Sequence, residues 1–316
     1  MTRLVRALLG LLALAVLPLD AEANCTGLRF GLLPPVVTWT GAGAGYNVFD
    51  AFDRAQPVTF TVTKVSGTCT YFVTATTEFG GGPGQRVMVG SGGHLTFNIF
   101  TDSTRTSPLL DLPIATANDV IAGSFSTTTG VASNTHLHFF WIAPDQAAAP
   151  GIFTGFAHFK LFQGTLLNNT LVQMIDVNYR VDVRSVAEVS VVDPGRTFNA
   201  SNPKRSVDFG FVHEGQKADF DLRVRGNNGF DVTIQSQNGG TLLPPDKGDP
   251  NYLPYTLTLG GRSLSLTAGR TVAAASLSTA TTADGVPFPV EITVGDLSHA
   301  SAGAYSDVLT ISVISK

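Results

Sequence analysis

Short runs in which apolar and polar residues alternate recur along almost the whole 316-residue chain, and they leave little room for anything but β-strands. In "QPVTFTVTKVSGTCTYFVTA" (56–75), "PGIFTGFAHFKLF" (150–162) and "AYSDVLTISVISK" (304–316) successive side chains point to opposite faces. No long segment carries the apolar period of an amphipathic helix, and Gly, Asn and Pro punctuate the runs. The pattern predicts an all-β fold. Charged residues make up 14% of the chain, and a net charge of −4 gives no electrostatic case for nucleic acid. No Lys/Arg cluster or aromatic stacking platform adds one.

Residues 1–23 read as a signal peptide. Arg3 and Arg6 precede the apolar stretch "ALLGLLALAVL", and "AEA" (21–23) supplies small residues for cleavage. The apolar run is shorter than the ~20 residues that a membrane span needs. An exported chain meets an oxidising compartment, where Cys25 and Cys69, the only cysteines, most simply form one disulfide.

An internal repeat divides the remainder. "PGIFTGFAHFKLF" (150–162) aligns with "AGAYSDVLTISVI" (302–314), and 56–75 aligns with "QKADFDLRVRGNNGFDVTI" (216–234). After a one-residue gap Phe60 matches Phe220, Val62 matches Leu222, and Tyr71 matches Phe230. In both copies two strands around a Gly- or Asn-containing turn predict a hairpin. A first domain over 24–184 and a second over 185–316 are expected, each a β-sandwich. The copies end differently. In the first, 152–163 is followed by a turn at Asn168-Asn169 and a further strand at about 171–183; in the second, the matching strand has no successor. The second domain is therefore expected to be one strand short.

"FDLRVRGNNGFDVTIQSQNGG" (220–240), "PYTLTLGG" (254–261) and "AGAYSDVLTISV" (302–313) resemble the spore coat protein U domain of archaic, Csu-type chaperone–usher pilus subunits. "GYNVFDAFDRAQPVTFTVTKVSGTCTYFV" (45–73) and "LLDLPIATANDVIAGSF" (109–125) resemble the N-terminal domain of the two-domain tip adhesins of that family. The resemblance implies two immunoglobulin-like sandwiches in tandem, the C-terminal one an incomplete pilin domain lacking its last strand. It implies donor-strand complementation: a periplasmic pilus chaperone fills the groove, and at the outer-membrane usher an adjacent pilin subunit replaces it with a donated strand. The expected acceptor groove comprises Val189, Val191, Phe220, Leu222, Leu309, Ile311 and Val313. If Cys25 is pinned to Cys69 just after the cleavage site, no free N-terminal strand is left to donate. The subunit is then expected first in the fibre, exported through the periplasm to the cell surface.

The family's tip domain carries exposed hydrophobic loops that attach to abiotic surfaces and seed biofilms. Three segments have that character here: Leu32, Leu33, Val36, Val37 and Trp39 in the first; Leu109, Leu110, Leu112 and Ile114 in the second; Leu166 and Leu167 in the third. A contiguous exposed apolar patch marks an interaction site. Two alternatives stand beside this reading. In one, Trp39, Tyr46, Asn47 and Asp50 serve a lectin-like adhesin; in the other, the chain is a minor non-tip pilus or coat subunit. No nucleophile or metalloprotease motif surrounds the six histidines, and "GGGPG" (80–84) lacks the Lys-Ser/Thr of a phosphate loop. His136 and His138 share one side of a strand, but no third ligand lies at metal-binding spacing. No catalytic, cofactor-binding or metal residue is expected.

Overall fold

A computed structural model describes residues 24–41, 45–50, 54–76, 86–246 and 250–316. The signal peptide read at 1–23 and the "GGGPG" turn lie outside the described residues. Among those described, every regular element is a strand.

The first ten strands join one sheet. They are β1 (Arg29–Phe30), β2 (Val36–Thr38), β3 (Ala55–Lys64), β4 (Cys69–Ala75), β5 (Arg86–Gly90), β6 (Gly93–Phe100), β7 (Ile121–Phe125), β8 (Ala132–Ile142), β9 (Gly151–Gly164) and β10 (Asn169–Val183). The pairing order is β1-β3-β8-β6-β5-β9-β10-β2, with β4 between β7 and β9. The sheet curls into two layers whose alternate side chains meet inside. Phe60 on β3 reaches Phe159 on β9 at 6.4 Å between ring centroids, and His138 on β8 reaches the same ring at 5.0 Å. Each buried ring of this kind contributes about 1.5–3 kcal/mol of hydrophobic stabilisation.

The later strands are β11 (Ala187–Val192), β12 (Lys217–Gly226), β13 (Phe230–Ser236), β14 (Thr241–Leu242), β15 (Leu253–Leu259), β16 (Arg262–Leu264), β17 (Thr271–Leu277), β18 (Val286–Val294) and β19 (Leu309–Ser315). One layer runs β11-β12-β18-β15-β14, with β16 beside β15; the other runs β17-β13-β19. Leu222, Val224, Val232, Ile234 and Leu257 fill the space between them.

The expected hairpins are absent. β3 pairs with β1 and β8, whereas β4 pairs with β7 and β9; β12 and β13 likewise take separate partners. The turn at 65–68, and its counterpart at 227–229, carries the chain across the core from one layer to the other. Phe72, Val73, Thr74 and Ala75 are buried in succession, so β4 is covered on both faces, which an exposed hairpin arm would not be.

At the junction Asn227 donates to the carbonyls of Arg184 (2.8 Å) and Ala148 (3.3 Å) and accepts from the Val186 N–H (2.8 Å). Arg225 donates through Nε and Nη2 to Glu188 Oε2, at 2.9 and 2.7 Å. Its guanidinium lies 4.0 Å from the Phe198 ring centroid and 4.6 Å from that of Phe49. Phe49 belongs to the first core and Arg225 to β12, so one cation ties the two sets of strands together.

Candidate functional site: an open strand edge and an apolar pole

The repeat read from the sequence is reproduced in strand register. Tyr71 stands opposite Gln163 and Ala75 opposite Phe159 in the β4–β9 ladder. Phe230 stands opposite Ser315 and Ile234 opposite Ile311 in the β13–β19 ladder, the same pairs under the alignment of the two copies. What flanks these strands differs. β9 pairs on its other side with β10 along its whole length, Gly151 with Val183 through Gly164 with Asn169. β19 pairs only with β13, and its other edge forms no ladder with any strand among the described residues.

β10 fills the position beside β9 in the first set. Its inward residues Val177, Tyr179, Val181 and Val183 are buried at alternate positions. It is closed on its far side by β2, which pairs in parallel at Asn178–Val36 and Arg180–Thr38, and by Phe30, whose N–H donates to Gln173 Oε1 at 2.8 Å. In the second set β11 is the matching edge, paired only with β12. Of the groove residues expected from sequence, Leu309, Ile311, Val313 and Val189 are half-buried against the second core. Val191, Phe220 and Leu222 are buried core residues and present no open surface.

The opposite end of β10 opens on a second feature. The turns 65–68, 126–131 and 165–168 gather at one pole, away from Arg184. The Gly67 N–H donates to Thr128 O (2.8 Å), and Thr70 Oγ1 donates to Gly164 O (3.2 Å). The buried ammonium of Lys64 donates to the carbonyls of both Gly67 and Thr127 and lies over the Phe125 ring at 5.6 Å. The disulfide Cys25–Cys69 closes beside them. Each turn presents one aliphatic side chain: Leu167 is 100% exposed, Val131 78% and Val65 50%. Fourteen steps of β10 separate this pole from the junction, roughly 45–50 Å at the usual strand rise.

The expected adhesive loops divide accordingly. Leu32, Val36, Ile114 and Leu167 are exposed, and Leu33, Leu110, Leu112 and Leu166 are partly buried. Val37 and Trp39 are buried because β2 alternates against β10 and turns its odd residues inward. Leu109 is fully buried; its N–H donates to Ile99 O, and its carbonyl accepts from Arg86. These three are core residues and leave the adhesive set. Asp111 pins the rest of that segment, accepting from Thr74 Oγ1 (2.8 Å) and Lys160 Nζ (2.7 Å). Leu112, Ala115 and Leu166 thereby pack on Phe72, Val120 and Phe162 as a lid on the outer face of β4 and β9. Val65 and Val131 escaped the sequence reading because each is a lone hydrophobe in a polar turn; only the tertiary fold brings their turns to one pole.

His136 and His138 do share one side of β8, but both face the core. His136 Nε2 lies 2.7 Å from Tyr71 OH, and His138 Nε2 2.9 Å from Tyr179 OH. Burial depresses both imidazoles, His138 to about 3 with a further push from the Arg86 charge, so at neutral pH His138 is an uncharged core residue.

No protein-family model and no curated protein matches the chain. Solved structures similar to it include the complex of the chaperone CsuC with the tip adhesion subunit CsuE from the archaic chaperone–usher Csu pili of Acinetobacter baumannii. That likeness has 10% identity and a TM-score of 0.45, over 82% of this chain and 91% of that one. The CupB6 tip adhesin of Pseudomonas aeruginosa is 13% identical with a TM-score of 0.36, over 91% of this chain and 94% of that one. CfaE, the adhesive subunit of the CFA/I fimbria of enterotoxigenic Escherichia coli, is 12% identical with a TM-score of 0.31, over 90% and 81%.

Proposed function

We propose that this chain is the tip adhesin of a chaperone–usher pilus, attaching to surfaces and promoting biofilm formation. Residues 24–184 act as the tip domain and residues 185–316 as an incomplete pilin domain. The observation that carries the proposal is the contrast between β9, covered by β10, and β19, its counterpart, whose edge is open. A periplasmic chaperone first lends the strand that belongs beside β19. At the outer-membrane usher the neighbouring pilin supplies its own, and main-chain hydrogen bonds with alternate apolar side chains hold it there. The far pole then faces outward, with Leu167, Val131 and Val65 as its contacts. Aliphatic tips held by a rigid scaffold favour contact with apolar surfaces, since they lose little conformational freedom on attachment.

Attachment of piliated cells to polystyrene tests the adhesive pole. Replacing Leu167 and Val131 together by serine is expected to reduce attachment several-fold while the amount of surface pili stays unchanged. Undiminished attachment by that variant would remove the pole from the mechanism.

A further inference from the structure

A pocket of about 210 Å³ opens near the junction, between Trp39, Tyr46 and the start of β3, with Arg184 at its mouth. At about 30 Å³ for each water in the liquid, its volume suits one small ring and no longer chain. Trp39 and Tyr46 are almost wholly buried and form rigid walls. Most polar groups around it are committed. Gln56 accepts from Thr40 N–H (2.7 Å) and donates to Thr38 O (2.9 Å); Asn47 Oδ1 accepts from Phe49 N–H (2.9 Å). Tyr46 OH donates to Ala143 O at 2.8 Å. Two donors are left over: Trp39 Nε1 and the Arg184 guanidinium have no hydrogen-bond partner among the described residues. Arg54 and Asp50 also line the pocket, and Asp50 acts on Tyr46 from there.

Two unused donors, one of them a guanidinium, and aromatic walls select a ligand with acceptors on a compact ring. We propose that this pocket binds the carboxylate-bearing pyranose of an acidic sugar. Arg184 takes the carboxylate through a charge-assisted pair, and Trp39 Nε1 donates to a ring or hydroxyl oxygen. A planar, forked guanidinium matches a carboxylate better than it matches a neutral hydroxyl, which sets acidic sugars above neutral ones. The site lies at the junction end of the first strand set, separate from the apolar pole, and does not depend on the adhesive role proposed there.

Titration of the purified full-length mature chain with glucuronate, followed by ligand-observed NMR, tests the assignment. Saturation at roughly millimolar concentration is expected, with methyl glucoside and acetate each at least ~10-fold weaker. Arg184→Gln, at an exposed position, is expected to keep the fold and weaken glucuronate ~10-fold. Trp39→Phe serves as a second variant: it removes the indole donor along with part of the buried ring, and a folded Trp39→Phe protein is expected to bind glucuronate more weakly. Absence of saturable binding of glucuronate, galacturonate and N-acetylneuraminate would overturn the proposal. So would an unchanged response in a folded Arg184→Gln protein, or acetate binding as well as glucuronate.

Discussion

Ile234 and Ile311 stand opposite each other in the β13–β19 ladder and face the same core, yet Ile234 is buried and Ile311 only half-buried. The difference lies in their neighbours. β13 has a strand on each side, whereas β19 has one, so the inward row Leu309, Ile311 and Val313 is covered from one flank only. An open edge with an apolar inner face is a template for pairing with another chain.

A peptide copying residues 169–183 is expected to bind this edge. Under the alignment of the two copies its Val177 falls opposite Leu309 and its Ile175 opposite Ile311. Thermal unfolding followed against peptide concentration should show a rising midpoint, worth about 2.7 kcal/mol when the peptide is at 100 times its Kd. A peptide with Ile175→Asp and Val177→Asp should give no shift. Equal shifts from both peptides would argue against a sequence-reading groove.

Removing the disulfide should weaken the apolar pole. Cys25 and Cys69 are 44 residues apart, and opening a loop of that size is expected to cost on the order of 2–4 kcal/mol through the entropy of the unfolded chain. Chemical denaturation of Cys25→Ser/Cys69→Ser would show it as a lowered midpoint. A midpoint equal to the parent's would mean that the packing of Leu28 and Phe30 already fixes the first strand.

Arg225→Ala tests the junction. The substitution deletes the bidentate pair to Glu188 and the two ring contacts, and leaves a partly buried carboxylate behind. A loss of about 2–3 kcal/mol is expected. Limited proteolysis should find new cleavage at 184–186. A variant as resistant as the parent would place the strength of the joint in Asn227 instead.

Acid should destabilise the first core through its buried histidines. His138 is held neutral in the fold down to about pH 3, whereas in the unfolded chain it takes up a proton near pH 6.5. A depressed folded pKa means that the unfolded state binds more protons between these values. Stability is therefore full above about pH 6.5 and falls as pH drops towards 3, with a slope approaching 1.4 kcal/mol per pH unit. His136, also depressed by burial, acts in the same direction. Stability curves of His138→Gln should be flatter across this window; a parallel curve would assign the acid sensitivity elsewhere.

Local chemistry made much of this molecule legible. Alternation of side chains at period two marks strands such as 56–64 and 309–315 without reference to anything distant, because it reflects the geometry of one extended segment. The duplicated pattern carried the register of Tyr71–Gln163 and Phe230–Ser315, and its unequal ends anticipated that β19, unlike β9, pairs along one edge only among the described residues. The single cysteine pair left one disulfide to form. Other properties depended on groups far apart in the chain. Whether β3 and β4 form a hairpin or cross the core was decided by the separate partners waiting in each layer. Leu109 and Val37 looked like exposed loop hydrophobes and are buried under Arg86, Ile99 and β10; Val65 and Val131 looked unremarkable and stand exposed at one pole. Exposure is a property of the space around a side chain, and tertiary packing alone brings the residues that fill that space, or leave it open.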